Sequence, residues 1–440
     1  MREWLDGLPT PLKIAVAYLA FVAFGTFLLW LPVSSHAGLS VSEAAFTATS
    51  AVTVTGLSVI DVGAELTFAG EFVLLLLIQF GGVGLITLTV FVLSALGMTV
   101  GVERLTLMHS EIGAGKRTRI LKLITRIVKI VMVGQALCAA ILAWLWIPEM
   151  GWRDGLWMAV FHAVSAFNHA GFDLFGNSLK DFATDPFVLL TVSITFVLSS
   201  LGFIVYADLR HGWRWARLNL HTRLMLVGTA VLIVVPVALF ILLERDNPQT
   251  LGQTASGLEM FGLAFFQSVT PRTAGFAAVD TASLEDATTW MTMILMTIGG
   301  GTGSTAGGIK VTTIIVLLLA AVAYFRQTRH IRIFRTSVDR RQVHKAMTLG
   351  IIAGLVMCVT TFVLLATQTT DMIDTMFEAT SALGTVGLSR GITGDLDQTG
   401  RTTVMILMFL GRLGPLTLGY LIASQRPPLT RYPNGEIHLG

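Results

Sequence analysis

The sequence predicts an all-α polytopic membrane protein whose eight transmembrane helices form four pseudo-symmetric units, each a helix, a shorter re-entrant helix and a second helix. Three observations carry this. Of 440 residues, 53% are hydrophobic and 13% charged, at a mean hydropathy of +0.73, and a soluble chain this apolar could not cover its own surface. Long apolar stretches alternate with shorter ones, and the shorter ones share a motif.

Spans are expected at 12–32, 68–98, 125–147, 187–207, 222–243, 288–324, 346–367 and 402–424, each near the ~20 apolar residues that a ~30 Å hydrocarbon core requires. The first run, from Ile14 to Leu31, is long enough to span and is preceded by acidic Glu3 and Asp6, so it reads as a retained helix and not a leader. Between the spans of each pair lies a moderately apolar segment of about a dozen residues ending in glycine, too short to cross and too apolar for a surface loop. Cys138 and Cys358 sit inside apolar runs, which gives no support to a disulfide or zinc framework.

Charge sets the orientation. Stretches 99–130, 207–224 and 324–346 hold seven, four and seven Lys/Arg, whereas the loops with the short segments hold six in all. That bias puts both termini and the basic loops in the cytoplasm and the short segments outside. Most acidic residues, Asp61, Asp173, Asp280, Asp374 and Asp395 among them, then face outward, where they either favour cations at an outer mouth or simply solvate loops.

The repeat decides the architecture. "FTATSAVTVTGLS" from Phe46, "FHAVSAFNHAGFD" from Phe161, "FFQSVTPRTAGFA" from Phe265 and "FEATSALGTVGLS" from Phe377 each place a glycine ten residues after the phenylalanine: Gly56, Gly171, Gly275 and Gly387. The units read as 10–100, 101–209, 210–325 and 326–424, followed by a tail at 425–440. A span–half-helix–span unit starts and ends on one side of the membrane. Successive units are therefore parallel, and the pseudo-symmetry axis runs along the membrane normal, unlike that of inverted-repeat carriers. Four tips then meet around a central ion pore.

Irregular backbone at membrane depth leaves carbonyls that need a cavity or a ligand, and a ring of them replaces part of a cation's hydration shell. The candidate filter comprises Thr53, Val54, Thr55 and Gly56; Asn168, His169, Ala170 and Gly171; Arg272, Thr273, Ala274 and Gly275; and Gly384, Thr385, Val386 and Gly387. A cation is the expected occupant of these carbonyls. His169 is expected to pack neutrally, and Arg272 to turn away from the path into ion pairs behind the filter.

"TVTG", "NHAG", "RTAG" and "GTVG" resemble degenerate single-chain versions of the potassium-channel filter. The four-unit arrangement resembles the Trk/Ktr/HKT superfamily of potassium transporters over nearly the whole chain. Its length, with the first span near the start, is similar to the Ktr-type membrane subunits. The resemblance implies that the ion at the filter carbonyls is potassium. It also implies a homodimer in the bacterial plasma membrane, potassium uptake with Na+ dependence left open, and control by a cytoplasmic ring of nucleotide-binding RCK-type subunits.

The sixth span is interrupted by Gly299, Gly300, Gly301, Thr302, Gly303, Ser304, Thr305, Ala306, Gly307 and Gly308. Glycine costs a helix roughly 1 kcal/mol per position relative to alanine, so an unwound intramembrane loop is expected. "GTGSTA" and "GSTAGGIK" mimic nucleotide motifs, but no βαβ context surrounds them, and no nucleotide is expected on this chain itself. In the resembled family the equivalent loop is the gate. Lys310 follows it, and Arg412 lies within the last span. Charges at membrane depth are functional candidates, and Arg412 is expected to hold the loop shut through its carbonyls, with a buried ion pair as the competing role.

No H-E-x-x-H or G-x-S-x-G occurs, so enzyme chemistry is unsupported, and no nucleic-acid partner is expected. The basic loops serve as orientation signals or as docking surfaces. Two competing functions stay open: a sodium-coupled carrier of a polar solute, and a related pore for sodium or ammonium.

Overall fold

The structure, a computed structural model, describes residues 10–84, 116–210, 212–328, 331–334 and 336–414. The expected loop 99–130 and last span 402–424 lie partly outside these residues, as does the end of the second span; the tail 425–440 lies wholly outside.

Each unit opens with a long helix: α1 (Thr10–Trp30), α4 (Lys116–Met150), α8 (Leu220–Glu244) and α12 (Arg340–Thr367). These four are long and apolar enough to cross a bilayer alone. Much of their apolar surface is exposed, including Phe24 on α1, Val234 on α8 and Phe362 on α12, which suits a lipid solvent and not water. A shorter helix follows in each unit: α2 (Val41–Thr53), α5 (Trp152–Asn168), α9 (Gly257–Val269) and α13 (Met372–Gly384). Ser40 caps α2 in a capping box with Glu43, and Ser256 caps α9 through Glu259 N while the Glu259 carboxylate accepts from Ala255 N, fixing where these helices begin.

The closing helix of every unit ends or breaks at glycine. In the first, α3 (Phe68–Gln79) passes into a π-helical turn over Phe80–Gly84. In the second, α6 (Pro186–Ser200) and α7 (Phe203–Leu209) meet at 84°, where a single uninterrupted span over 187–207 was expected. Gly202, at φ +88°, makes that bend. In the third, α10 (Asp286–Thr297) and α11 (Val311–Phe325) flank the glycine-rich loop. The fourth closes with α14 (Gln398–Leu413). A two-stranded hairpin, Arg332–Ile333 against Thr336–Ser337, lies between α11 and α12.

The units close on one another through buried apolar clusters. Leu74 packs with Phe161 and Phe172 between the first and second units. Phe196 packs with Phe266 and Phe276 between the second and third, Met296 with Phe377 and Val386 between the third and fourth. Phe46 and Leu57 meet Leu364 and Leu407 between the fourth and first. The chain of contacts is a closed ring, which sets the four short helices around one axis.

Candidate functional site

The short helices end in one repeated geometry. Two residues before each repeat glycine, a non-glycine residue adopts the left-handed conformation: Val54 (φ 56°), His169 (62°), Thr273 (69°) and Thr385 (50°). The glycines follow at φ 96°, 68°, 81° and 97°. A β-branched residue in this region is a genuine outlier, and three of the four are β-branched, so the surrounding structure over-determines the turn.

Hydroxyls at the helix ends hold it. Ser50 Oγ accepts from Gly56 N at 3.0 Å and Ser381 Oγ from Gly387 N at 3.1 Å. Ser165 and Thr270 instead donate to Phe172 O at 2.7 Å and Phe276 O at 2.6 Å. The third unit is one residue shorter here: Ala274 N reaches Thr270 O, whereas Thr55, Ala170 and Val386 N reach back five residues to a serine carbonyl. The buried phenylalanine of α9 is accordingly Phe266, with Phe265 only part-buried, so the phenylalanine spacing seen in sequence is offset by one in this unit.

The tips meet glycine to carbonyl. A Cβ added at Gly56 would fall 2.5 Å from Ala170 O, and one at Gly171 would fall 2.9 Å from Gly275 Cα and 3.2 Å from Ala274 O. A Cβ at Gly275 would strike Val386 O, and one at Gly387 would strike Thr55 O. The contacts run from unit one to two, three, four and back. Among the described residues, no hydrogen bond reaches the carbonyls of Thr55, Ala170, Ala274 or Val386. Thr53 Oγ1 and Thr55 Oγ1 lie 2.8 Å apart and buried.

His169 is fixed behind this ring. Its Nδ1–H donates to Thr273 O at 3.2 Å, and Ser199 Oγ faces Nε2 at 2.8 Å. Asn168 Nδ2 donates to Gln79 Oε1 at 2.9 Å, which also receives Gln135. Arg272 differs from the sequence expectation: it is buried, and none of its three guanidinium nitrogens has a partner among the described residues. The short turn of the third unit points it into the protein, but no carboxylate follows it there to make the expected ion pairs.

The loop from Gly299 to Gly308 lies against the second and fourth units, and Arg412 bridges it to the first. Gly301 N donates to Ser200 O at 2.7 Å, Phe203 N to Gly303 O at 3.0 Å, and Thr305 Oγ1 to Phe167 O at 3.0 Å, all in the second unit. A Cβ at Gly307 would strike the Thr385 hydroxyl of the fourth unit. Gly299 N reaches Ile309 O at 2.8 Å, pinching the loop's base. Lys310 Nζ donates to Ala306 O at 2.7 Å and Gly307 O at 3.2 Å. Arg412 Nη1 donates to Thr305 O at 2.7 Å, and its Nη2 to Gly81 O at 2.8 Å in the first unit. Both cations are thus spent on loop carbonyls, and neither makes an ion pair among the described residues. Ser304 Oγ stays within the loop, donating to Gly301 O at 2.7 Å, and Thr302 O faces Gly202 of the second unit.

Sequence reasoning missed several participants. The serines six residues before Gly56, Gly171 and Gly387 were visible as a recurring hydroxyl. The glycines of "FGGVG", "SSLGF" and "LGRLG" repeat the break of the sixth span in the other three units. A Cβ at Gly81 would strike Val52 O, and one at Gly411 would strike Leu383 O, so these glycines let the closing helices seat on the short-helix ends.

A ring of tips with open carbonyls beside a loop held by buried cations, among long lipid-suited helices, is the architecture of a membrane transport protein. The chain belongs to the TrkH family of cation transport proteins, whose model matches residues 10–427. The Ktr system potassium uptake protein B of Vibrio alginolyticus is 38% identical across 98% of this chain and 95% of its own length. The protein of the same name from Bacillus subtilis is 36% identical across 100% and 98%, and the potassium/sodium uptake protein NtpJ of Enterococcus hirae 35% across 97% and 96%. The crystal structure of the potassium transporter TrkH from Vibrio parahaemolyticus shares the fold at a TM-score of 0.75, covering 94% of this chain and 84% of that one, at 24% identity.

Proposed function

We propose that this chain is the ion-translocating membrane subunit of a potassium uptake system, with eight spans and four re-entrant tips in the units 10–100, 101–209, 210–325 and 326–424. The observation that carries the reading is the closed ring in which Gly56, Gly171, Gly275 and Gly387 each press on the carbonyl preceding the next glycine. Carbonyls without protein partners at such a ring suit a dehydrated monovalent cation. The short helices direct their C-terminal dipole ends inward, which adds favourable potential for a cation. The relatives named for potassium uptake support that ion.

Glycines 299–308, with Lys310 and Arg412, form the gate in this reading, because the loop packs on the second and fourth units beside the tips and Arg412 ties it to the first. Sodium takes part as a second ion, a role favoured by the relative named for potassium and sodium. The chain works as a homodimer in the bacterial plasma membrane, termini inward, with its basic loops meeting RCK-type subunits, and binds no nucleotide itself. Rubidium uptake into proteoliposomes, competed with potassium, sodium and ammonium, tests the proposal. Potassium should compete far better than sodium. Solute flux without rubidium flux would overturn it.

A further inference from the structure

The residue two positions past each repeat glycine is secured in a different way in every unit. In the first unit Ser58 Oγ bonds Ile60 O at 2.8 Å, within its own loop. In the second, Asp173 Oδ1 accepts the N–H groups of Phe175, Gly176 and Ser178. In the third, Ala277 N donates to Ser178 Oγ and Ala277 O accepts from Leu179 N, both partners lying in the second unit. In the fourth, Ser389 Oγ donates to Glu378 Oε2 at 2.7 Å.

Glu378 lies on α13, one residue past Phe377, and is fully buried. Its other oxygen receives Thr393 Oγ1 at 2.6 Å, and Thr393 Oγ1 lies 2.9 Å from Ser389 Oγ. The equivalent positions in the other units are Thr47, His162 and, with the one-residue offset of the third unit, Gln267, so among the four only this one brings a carboxylate. The strand it grips is also tied to the third unit: Ser389 O accepts from the Thr281 hydroxyl. Arg390 Nε donates to Asp374 at 2.6 Å and its Nη1 to Thr281 O at 3.0 Å. Three residues upstream of Ser389, Val386 O abuts Gly275, and Gly387 abuts Thr55 O. A shift at Ser389 is therefore passed directly to two of the four junctions of the ring.

We infer that Glu378 is a positioning residue for ion discrimination: its carboxylate, through Ser389 and Thr393, fixes the strand that leaves the fourth tip and so holds the Val386 and Gly387 backbone at the spacing the transported ion requires. The inference rests on reading the ring as the filter. A carboxylate suits the task because both hydroxyls donate and both of its oxygens accept. Glutamine keeps the shape but turns one acceptor into a donor.

The test is rubidium uptake into proteoliposomes with potassium and sodium as competitors, on E378Q, E378D, S389A and T393A, each checked for monodispersity and thermal unfolding in detergent. E378Q should lose roughly tenfold in potassium-over-sodium preference, the effect of one buried hydrogen bond, with a larger change in the ratio of apparent affinities than in maximal rate. S389A keeps the carboxyl group and breaks the link, so it should share most of that loss, and S389A combined with E378Q should add little. Wild-type preference in S389A would overturn the inference, leaving Glu378 at most an electrostatic group, and additive losses would overturn it too. If E378Q fails to fold, S389A and T393A decide. Gly387→Ser run alongside separates the two readings: altered preference in Gly387→Ser with none in S389A removes the Glu378 inference alone. Unaltered preference in Gly387→Ser removes the filter itself.

Discussion

Arg412 Nη1 donates to the carbonyl of Thr305 at 2.7 Å, joining the last helix of the chain to the middle of the glycine-rich loop. The same guanidinium reaches Gly81 O at 2.8 Å, so it holds the loop against the π-helical turn of the first unit. Replacing Arg412 with alanine removes a hydrogen bond from a charged donor, a kind of contact worth about 1.5–3 kcal/mol. If the loop is the barrier, Arg412→Ala should raise rubidium flux roughly tenfold or more, and Arg412→Lys, which keeps the charge but concentrates its donors on a single nitrogen, should raise it less. Flux in Arg412→Ala equal to that of the parent protein would remove the loop from the gating path.

Gly56→Ser tests the ring. Gly56 has φ +96°, and a Cβ there would lie 2.5 Å from Ala170 O, so a side chain forces the first and second tips apart. The cost of a left-handed non-glycine residue is roughly 1–2 kcal/mol, within what a large helical protein tolerates. Potassium-over-sodium preference should therefore fall while the purified protein stays monodisperse. Competition of rubidium uptake by sodium reads the effect. Preserved preference in a folded variant would count against the filter assignment.

The cap of α2 gives a prediction for stability outside the membrane. Ser40 accepts from Glu43 N, and Glu43 Oε2 accepts from Ser40 N at 3.0 Å and from its hydroxyl at 2.8 Å. The Ser40 hydroxyl and then its N–H hold the Glu43 carboxyl below the usual range, with Arg401 a smaller contributor. A depressed carboxyl stabilises the fold above its unfolded pKa, and that stability is lost as pH falls through the folded value. Ser40→Ala should cost about 1 kcal/mol near neutral pH, and part of the difference from the parent should disappear in acid. Thermal unfolding in detergent at neutral and acidic pH measures both.

What sequence made legible was whatever left a periodic or compositional mark. The four tips were visible because each needs a glycine at a fixed place in a moderately apolar segment, and the loop because six glycines in ten residues cannot stay helical. The left-handed Val54, Thr273 and Thr385 were not, since propensity argues against β-branched residues there and only the closed ring imposes the conformation. The offset of Phe266 in the third unit was hidden because Phe265 satisfies the spacing equally well. The lack of a partner for Arg272 among the described residues is a tertiary fact, set by which side chains the neighbouring helices bring. Gly202 was hidden too, a single glycine in an otherwise continuous apolar run.

That glycine supplies the sharpest contrast on the loop. Gly202 sits at φ +88°, and a Cβ on it would lie 2.6 Å from Thr302 O, while the next residue, Phe203, donates its N–H to Gly303 O. The bend between α6 and α7 is thus the seat on which the loop rests. Gly303 is itself left-handed at φ +75°, yet its added Cβ would meet only Ile204 side-chain atoms at 3.8 and 3.9 Å. Asparagine tolerates that conformation better than other side chains, so Gly303→Asn should leave the loop seated and flux close to the parent value. Gly202→Ala, smaller but aimed at backbone, should unseat it and raise rubidium flux in the same direction as Arg412→Ala. Because both act by releasing one loop, the double variant should exceed the larger single effect only slightly. Equal fluxes in Gly202→Ala and Gly303→Asn would show that seating on the second unit does not hold the loop, and that the cations alone do.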